Sequence, residues 1–342
     1  MLKNPLEENS LNLTIASRLN FKIIKVIKPH NTKSTVLICK KGNRKLVVKY
    51  GIGKGSDKVR NEINWYLRVG RFLKFVPKFL GEMEIGGIPV LILDFIEDTL
   101  TIDDISFGNR DDYLLIKRLI NKSLVYLQIL FETNLKRRVS LKEANTLFLQ
   151  KFERRYNEAR RYNYLKILFN QNEIVINGEV YPNFREYIEK IVSSNLFRCL
   201  TPRVHGVIHG DLHCGNILVQ KKNNKIFFID PNGNLSMPIE YDYGKIFHSI
   251  HGGYGSIMRG KYKLKQLADN RFEFSLHVPK FYESIFCELK ENLSESLFVK
   301  SFYTEAMHFA TMLPHHAKRP KETKALYLRG VLLFKELFNF LL

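Results

Sequence analysis

The chain lacks the features that would tie it to a membrane, a zinc site or a disulfide scaffold. No uninterrupted apolar run approaches the roughly 20 residues that span a bilayer. Its start, MLKNPLEENSLNLTIASRL, carries acidic residues and none of the apolar core of a secretory leader. Only 4 cysteines occur, Cys39, Cys199, Cys214 and Cys287, and no two form a C-x-x-C pair. That tells against zinc and disulfide frameworks and fits a reducing cytoplasm. No internal repeat or low-complexity tract is present. Acidic residues are scarce: 34 Asp and Glu stand against 54 Lys and Arg, a formal net charge of +20. Such an excess favours anionic partners, whether nucleotide, phosphorylated sugar, anionic membrane or nucleic acid, and is awkward for a polycationic ligand. A lysine-rich composition alone also produces it. No aromatic-basic platform or recognition helix marks a specific nucleic-acid site.

What is present is a chain 45% apolar and 26% charged, with 342 residues, enough for two lobes and a substantial core. Residues 21–28 (FKIIKVIK), 35–41 (TVLICKK) and 44–51 (RKLVVKYG) read as strands, the last two joined by a tight turn at Gly42-Asn43. Residues 55–69 (GSDKVRNEINWYLRV) read as a helix with Ser56 as N-cap and an apolar stripe of Val59, Ile63, Tyr66 and Leu67. Two more strand-like runs, FLGEMEI and IPVLILDFIED, flank Gly86-Gly87. From residue 99 onward helical periodicity dominates: 115–132 predicts a central helix, 142–165 a basic one, and the last stretch stays helical to the end.

The chemistry concentrates in one loop. In VHGVIHGDLHCGNILV, residues 204–219, apolar flanks anchor a polar turn carrying His209, Asp211 and Asn216. A second apolar run, KIFFIDPNG, ends on Asp230. Two carboxylates and an amide on loops between short buried strands suit Mg·ATP phosphoryl transfer. One carboxylate accepts a hydroxyl proton, while the amide and the other carboxylate hold Mg²⁺ against the triphosphate. The bland alternative is a polar turn in which Asp211 and Asn216 merely form the bend.

The H-G-D-x-x-x-x-N spacing followed by I-D-P resembles the aminoglycoside phosphotransferase and choline kinase group, small-molecule kinases with a protein-kinase-like fold. The core motif covers roughly thirty residues. The resemblance implies an α+β, bilobal, protein-kinase-like fold. Residues 1–95 would form a small N-lobe with an antiparallel five-stranded sheet and one helix. Residues 96–342 would form a larger, mainly helical C-lobe. It implies that Asp211 is the catalytic base, Asn216 and Asp230 the metal ligands, and Lys49 the phosphate-contacting lysine steadied by Glu62. Asp94, Phe95 and Ile96 would meet the adenine at the hinge. His209 would shape the loop, and Asp242 would brace it by accepting backbone N–H bonds. The sequence departs from the protein-kinase pattern in lacking H-R-D, D-F-G and A-P-E. The turn IKPHNTKSTV has no G-x-G-x-x-G either, so Asn31, Thr32, Ser34 and Thr35 are the candidate phosphate donors.

The acceptor is the least legible part. HSIHGGYG breaks the helix after Asp242, and its Gly-Gly beside His251 and Tyr254 suggests backbone folded close to a polyol, or simply a helix end. The segments IDPNG, YDYGKIFHSIHGGY and INGEVYPNF resemble family members found with surface-polysaccharide synthesis, which favours a sugar. The alternatives are an aminoglycoside or choline-like amino alcohol, and a non-catalytic pseudokinase or anion-binding module. His315-His316 is a poor metal site, because adjacent helical side chains point apart.

Overall fold

The computed structural model describes residues 5–27, 34–108 and 112–341. The chain forms two compact units. The first comprises Met1–Thr101, His209–Asp211 and Asn216–Leu235, and the second Ile102–Ile208, Leu212–Gly215 and Ser236–Leu342. The fold is α+β, as expected, with a five-stranded antiparallel sheet in the N-terminal region.

In the first unit the strands lie in the order Lys22–Ile27, Ser34–Lys41, Arg44–Gly51, Ile88–Asp94, Phe79–Ile85. Alternation sets the two faces. Leu37, Cys39, Val48, Tyr50, Ile85 and Val90 form one buried cluster. Val36 and Lys49, paired across the ladder, belong to the alternate set. The cluster is covered by an unexpected helix, Pro5–Leu19, which contributes Ile15 and sets Leu11 and Leu19 against it. Tyr50 also donates its hydroxyl to Asn12 Oδ1 at 2.6 Å. The expected helix after the third strand runs Lys54–Arg68, but Ser56 does not cap it. Gly53 is the N-cap, and Ser56 lies inside the first turn, where its hydroxyl donates to the Gly51 carbonyl instead. A small antiparallel sheet completes the unit, with Ile217–Gln220 between Lys225–Phe228 and Thr99–Thr101.

The second unit is mainly helical. Its core holds the helices Ile239–Ile250 and Glu295–His316, packed closely enough that Gly244 has no room for a side chain. The central helix is Tyr113–Glu132, and Lys280–Asn292 and Pro320–Leu341 complete the C-terminal helices. The expected basic helix over 142–165 is broken: Leu141–Asn145 passes through a π turn into Lys151–Ala159, and Asn163–Phe169 starts anew. Its arginines are partly engaged, Arg155 with Glu158 and Arg160 with Asn170. Sequence reasoning also missed a four-stranded sheet, in the order Tyr262–Ala268, Arg271–Leu276, Glu173–Ile176, Glu179–Pro182. The Asn177-Gly178 turn has φ of 54° and 89°, the pair of left-handed residues a two-residue hairpin needs. Among the described residues no helix is long and apolar enough to cross a membrane.

Candidate functional site

The third strand of the large sheet presents Lys49, and the helix Lys54–Arg68 presents Glu62 opposite it. Lys49 Nζ reaches Glu62 Oε2 at 2.5 Å and also bonds Asp230 Oδ1. Both partners of the first pair are buried, Glu62 almost wholly. Burial opposes the Lys49 charge, but Asp230 and Glu62 outweigh it and hold the ammonium above its ordinary range. Burial likewise works against Asp230, and Lys49 and Lys58 overcome it, holding its carboxyl well below the usual range. For Glu62 the balance goes the other way: burial raises it despite Lys49.

Asp230 follows the strand Lys225–Phe228 with a left-handed backbone, φ 61°. A non-glycine residue there is strained by about 1–3 kcal/mol and persists only where its surroundings enforce it. Those surroundings are visible. Ile229 N–H donates to the Asn216 carbonyl at 3.0 Å, and Asn232 N–H to the His209 carbonyl at 2.8 Å. Gly233, at φ 79°, lies so close to the helix that an added Cβ would stand 2.4 Å from the Asn61 carbonyl carbon. The PNG turn and the helix bearing Glu62 are therefore in direct contact.

His209 connects the two loops. Its Nδ1 accepts the Asp211 N–H at 3.3 Å, and its Nε2 lies 3.0 Å from the Ile229 carbonyl. One accepting and one donating contact assign the Nε2–H tautomer. The ring is buried, with Trp65 and Phe228 edge-on. Asn216 turns its amide nitrogen to Asp211, 2.9 Å from the backbone carbonyl and 3.4 Å from Oδ2. That leaves its amide oxygen facing the other way. His209, Asp211, Asn216 and Asp230 thus form one hydrogen-bonded assembly in the first unit.

Sequence reasoning missed Lys58. It lies one helical turn before Glu62, a spacing that puts both on one face. Its Nζ is 3.1 Å from Asp230 Oδ1 and 3.2 Å from Oδ2.

The remaining expectations meet the structure unevenly. Ser34 is buried at the start of its strand, paired with Gly51. Asn31 and Thr32 lie outside the described residues. Asp94 ends its strand with its carboxylate on Arg44 at 3.0 Å, and its backbone N–H donates to Lys78. That N–H is not available to an adenine. Phe95 and Ile96 follow directly, with Lys45 over the Phe95 ring. In the second unit, Asp242 is buried in the helix Ile239–Ile250, three residues past its start rather than at it. It accepts the Leu212 N–H at 3.3 Å.

His251, the residue expected beside a polyol, has both ring nitrogens on carboxylates. Its Nδ1 is 3.0 Å from Glu305 and its Nε2 3.0 Å from Glu336, and Phe286 stacks on the ring at 3.9 Å. Burial would lower its pKa, but Glu305 and Glu336 together raise it. Tyr254 stacks on the buried His248 ring at 4.3 Å. His316 is buried and pushed down to about 4 by burial and neighbouring cations, consistent with a neutral packing residue, while His315 is exposed.

Asn216 and Asp230 supply hard oxygen donors, one amide and one carboxylate. Among the described residues no group of three or more His, Cys, Asp or Glu could hold a metal unaided. A divalent cation here would share its shell with ligand oxygens, the usual arrangement for Mg²⁺ in nucleotide enzymes. The donor set fits such an ion, and the two ammoniums gathered on Asp230 would compete with it for the carboxylate.

No family model matches the chain, and no curated protein does. Solved structures of an aminoglycoside phosphotransferase, APH(4)-Ia, are similar to it. One has a TM-score of 0.57 at 9% identity, covering 96% of this chain and 98% of that one. A thermostable mutant in ternary complex with AMP-PNP and hygromycin B has a TM-score of 0.59 at 8% identity, covering 95% and 98%. A different thermostable mutant, in ternary complex with ADP and hygromycin B, has a TM-score of 0.55 at 9% identity, covering 95% and 98%. The chain has the fold of these aminoglycoside phosphotransferase structures.

Proposed function

We propose that this chain is an ATP-dependent small-molecule kinase that transfers the γ-phosphoryl group to an acceptor hydroxyl, and that the acceptor is a sugar. The observation that carries the reading is the assembly in the first unit: Lys49 between Glu62 and Asp230, joined through His209 to the Asp211–Asn216 pair. Lys49 holds the nucleotide phosphates, with Glu62 fixing its direction. Asn216 and Asp230 hold Mg²⁺, which supplies charge neutralisation to the transferring group when bound. Asp211 accepts the proton of the acceptor hydroxyl. The Asn216 amide donates to that carboxylate, and the His209 ring holds the Asp211 backbone N–H. Backbone around Phe95 and Ile96 meets the adenine, and Ser34, at the start of its strand, donates to the phosphates. Catalysis in this scheme is positioning and electrostatics. The proposed compartment is the cytoplasm, which supplies ATP and keeps the free thiols reduced.

The charge balance supports a neutral or anionic sugar, of the kind used in surface-polysaccharide metabolism. The net charge of +20 disfavours capture of a polycation. Glu288, a candidate for an acidic pocket, is already engaged by Lys117 and by the Tyr113 hydroxyl, each at 2.5 Å. Tyr254 remains the substrate candidate among the residues after Asp242. The second reading, an aminoglycoside acceptor, is favoured by the hygromycin B in the similar solved structures. A coupled ADP-release assay with sugars, amino alcohols and aminoglycosides at moderate salt separates the readings, with Asp211→Asn as control. We expect a sugar to show the highest kcat/KM and the control to lose turnover by orders of magnitude while still binding ATP. Preferential turnover of an aminoglycoside or choline would replace the sugar reading. ATP binding with no turnover of any acceptor would support the pseudokinase alternative.

A further inference from the structure

We infer that Lys58 is a displaceable counter-ion of Asp230: it holds the carboxylate while no divalent cation is present and turns to the γ-phosphate of ATP when one is. The inference rests on the kinase reading above. Its basis is a charge count in one cluster. Two ammoniums, Lys49 and Lys58, face two carboxylates, Glu62 and Asp230, within hydrogen-bonding range. The cluster is neutral as it stands. A divalent cation on Asp230 would place two more positive charges beside both lysines, so one ammonium has to leave.

The geometry decides which. The Lys49 side chain is 7% exposed and tied to a Glu62 side chain that is 1% exposed. Removing Lys49 would strand a buried carboxylate. The Lys58 side chain is 30% exposed on a flexible four-carbon stem, and among the described residues it pairs with Asp230, at 3.1 and 3.2 Å. Lys58 therefore yields. The helix face it shares with Glu62 keeps it near the phosphates that Lys49 would hold, and the γ-phosphate of ATP is the new anion that arrives with the metal.

Two effects of opposite sign follow from replacing Lys58 by methionine, which keeps length and removes charge. Losing one competing charge about 4 Å away should lower the Mg²⁺ concentration for half-maximal ADP binding by about fivefold. Losing the phosphate contact should weaken ATP relative to ADP by about the same factor. Trp65, the only tryptophan, is buried edge-on to His209 and gives an intrinsic fluorescence signal for binding without turnover. The experiment titrates MgCl₂ with ADP and then with ATP in the full chain, for wild type, Lys58→Met and Lys58→Arg. The expected result is both shifts in Lys58→Met and neither in Lys58→Arg. An unchanged Mg²⁺ midpoint in Lys58→Met, or an arginine variant that behaves like methionine, overturns the inference and leaves the kinase reading intact. A wild type that binds neither nucleotide with Mg²⁺ overturns both.

Discussion

Gly244 lies in the middle of a helix, where glycine is a poor choice. Replacing it by alanine should stabilise an exposed helix by about 1 kcal/mol. The structure predicts the opposite sign. A Cβ built at Gly244 would stand 2.1 Å from Thr304 Oγ1, 2.9 Å from the Ser301 carbonyl oxygen and 3.0 Å from Glu305 N. Two of these three atoms are backbone of the helix Glu295–His316, so the conflict is not relieved by a rotamer change. The Thr304 hydroxyl is also held in place, donating within range of the Glu240 carbonyl at 2.7 Å and the Ser301 carbonyl at 2.8 Å. Overpacking of this kind costs about 1–3 kcal/mol, and disturbing the Thr304 bond adds about 1 kcal/mol. Set against the propensity gain, Gly244→Ala should destabilise the chain by roughly 1–3 kcal/mol. Denaturant unfolding followed by far-ultraviolet circular dichroism measures it. Thr304→Ala removes the closest atom but leaves the backbone oxygen and nitrogen, so the double variant should recover part of the loss and not all of it. A neutral or stabilised Gly244→Ala would refute the close helix crossing. The same variant should perturb Asp242, two residues away on this helix, and through it the Leu212 backbone.

Three further outcomes are expected. Asp230→Ala should abolish Mg²⁺-dependent nucleotide binding, because it removes the carboxylate that balances the metal and both lysines; an unchanged Mg²⁺ titration by calorimetry would reduce the IDPNG segment to a strand end. The His251 imidazole should titrate above the 6.5 of an ordinary histidine in an NMR pH series, and Glu305→Gln should move it down. Because its folded pKa is raised, the stability it contributes is fully present below that ordinary value and is lost as pH rises through the folded one; a titration at or below 6.5 would show that the two carboxylates do not act on it. Binding to nucleic acid should be weak, independent of sequence and steeply reduced by salt, and a tight sequence-selective complex in a filter-binding assay would contradict the proposed role.

The features legible in the sequence were those written in short spacings. Alternating runs located the five strands, and the 3.6-residue period located the helix that carries Glu62. The loop motifs singled out His209, Asp211, Asn216 and Asp230, which the fold joins by hydrogen bonds in one unit. Lys58 was equally accessible: it stands four residues before Glu62, and any residue on that face deserved the same question. The Asn177-Gly178 turn was a recognisable hairpin signal that the helical surroundings obscured. The sheet it belongs to was beyond local reading, since its parallel pairing joins Val175 and Ile176 to Arg271 and Phe272, with a whole helical region between them. His251 shows the same limit in chemical form. Its spacing to Gly252, Gly253 and Tyr254 is compatible with a ligand-binding turn, and nothing within several residues of it is acidic. The carboxylates that take up its ring come from two later helices, Glu295–His316 and Pro320–Leu341, and Arg329 from the second of these shares Glu336 with it at 2.6 Å. A histidine that reads as a binding residue in one dimension is therefore a half-buried partner of two carboxylates in three, because long-range packing, and no local pattern, chooses its partners.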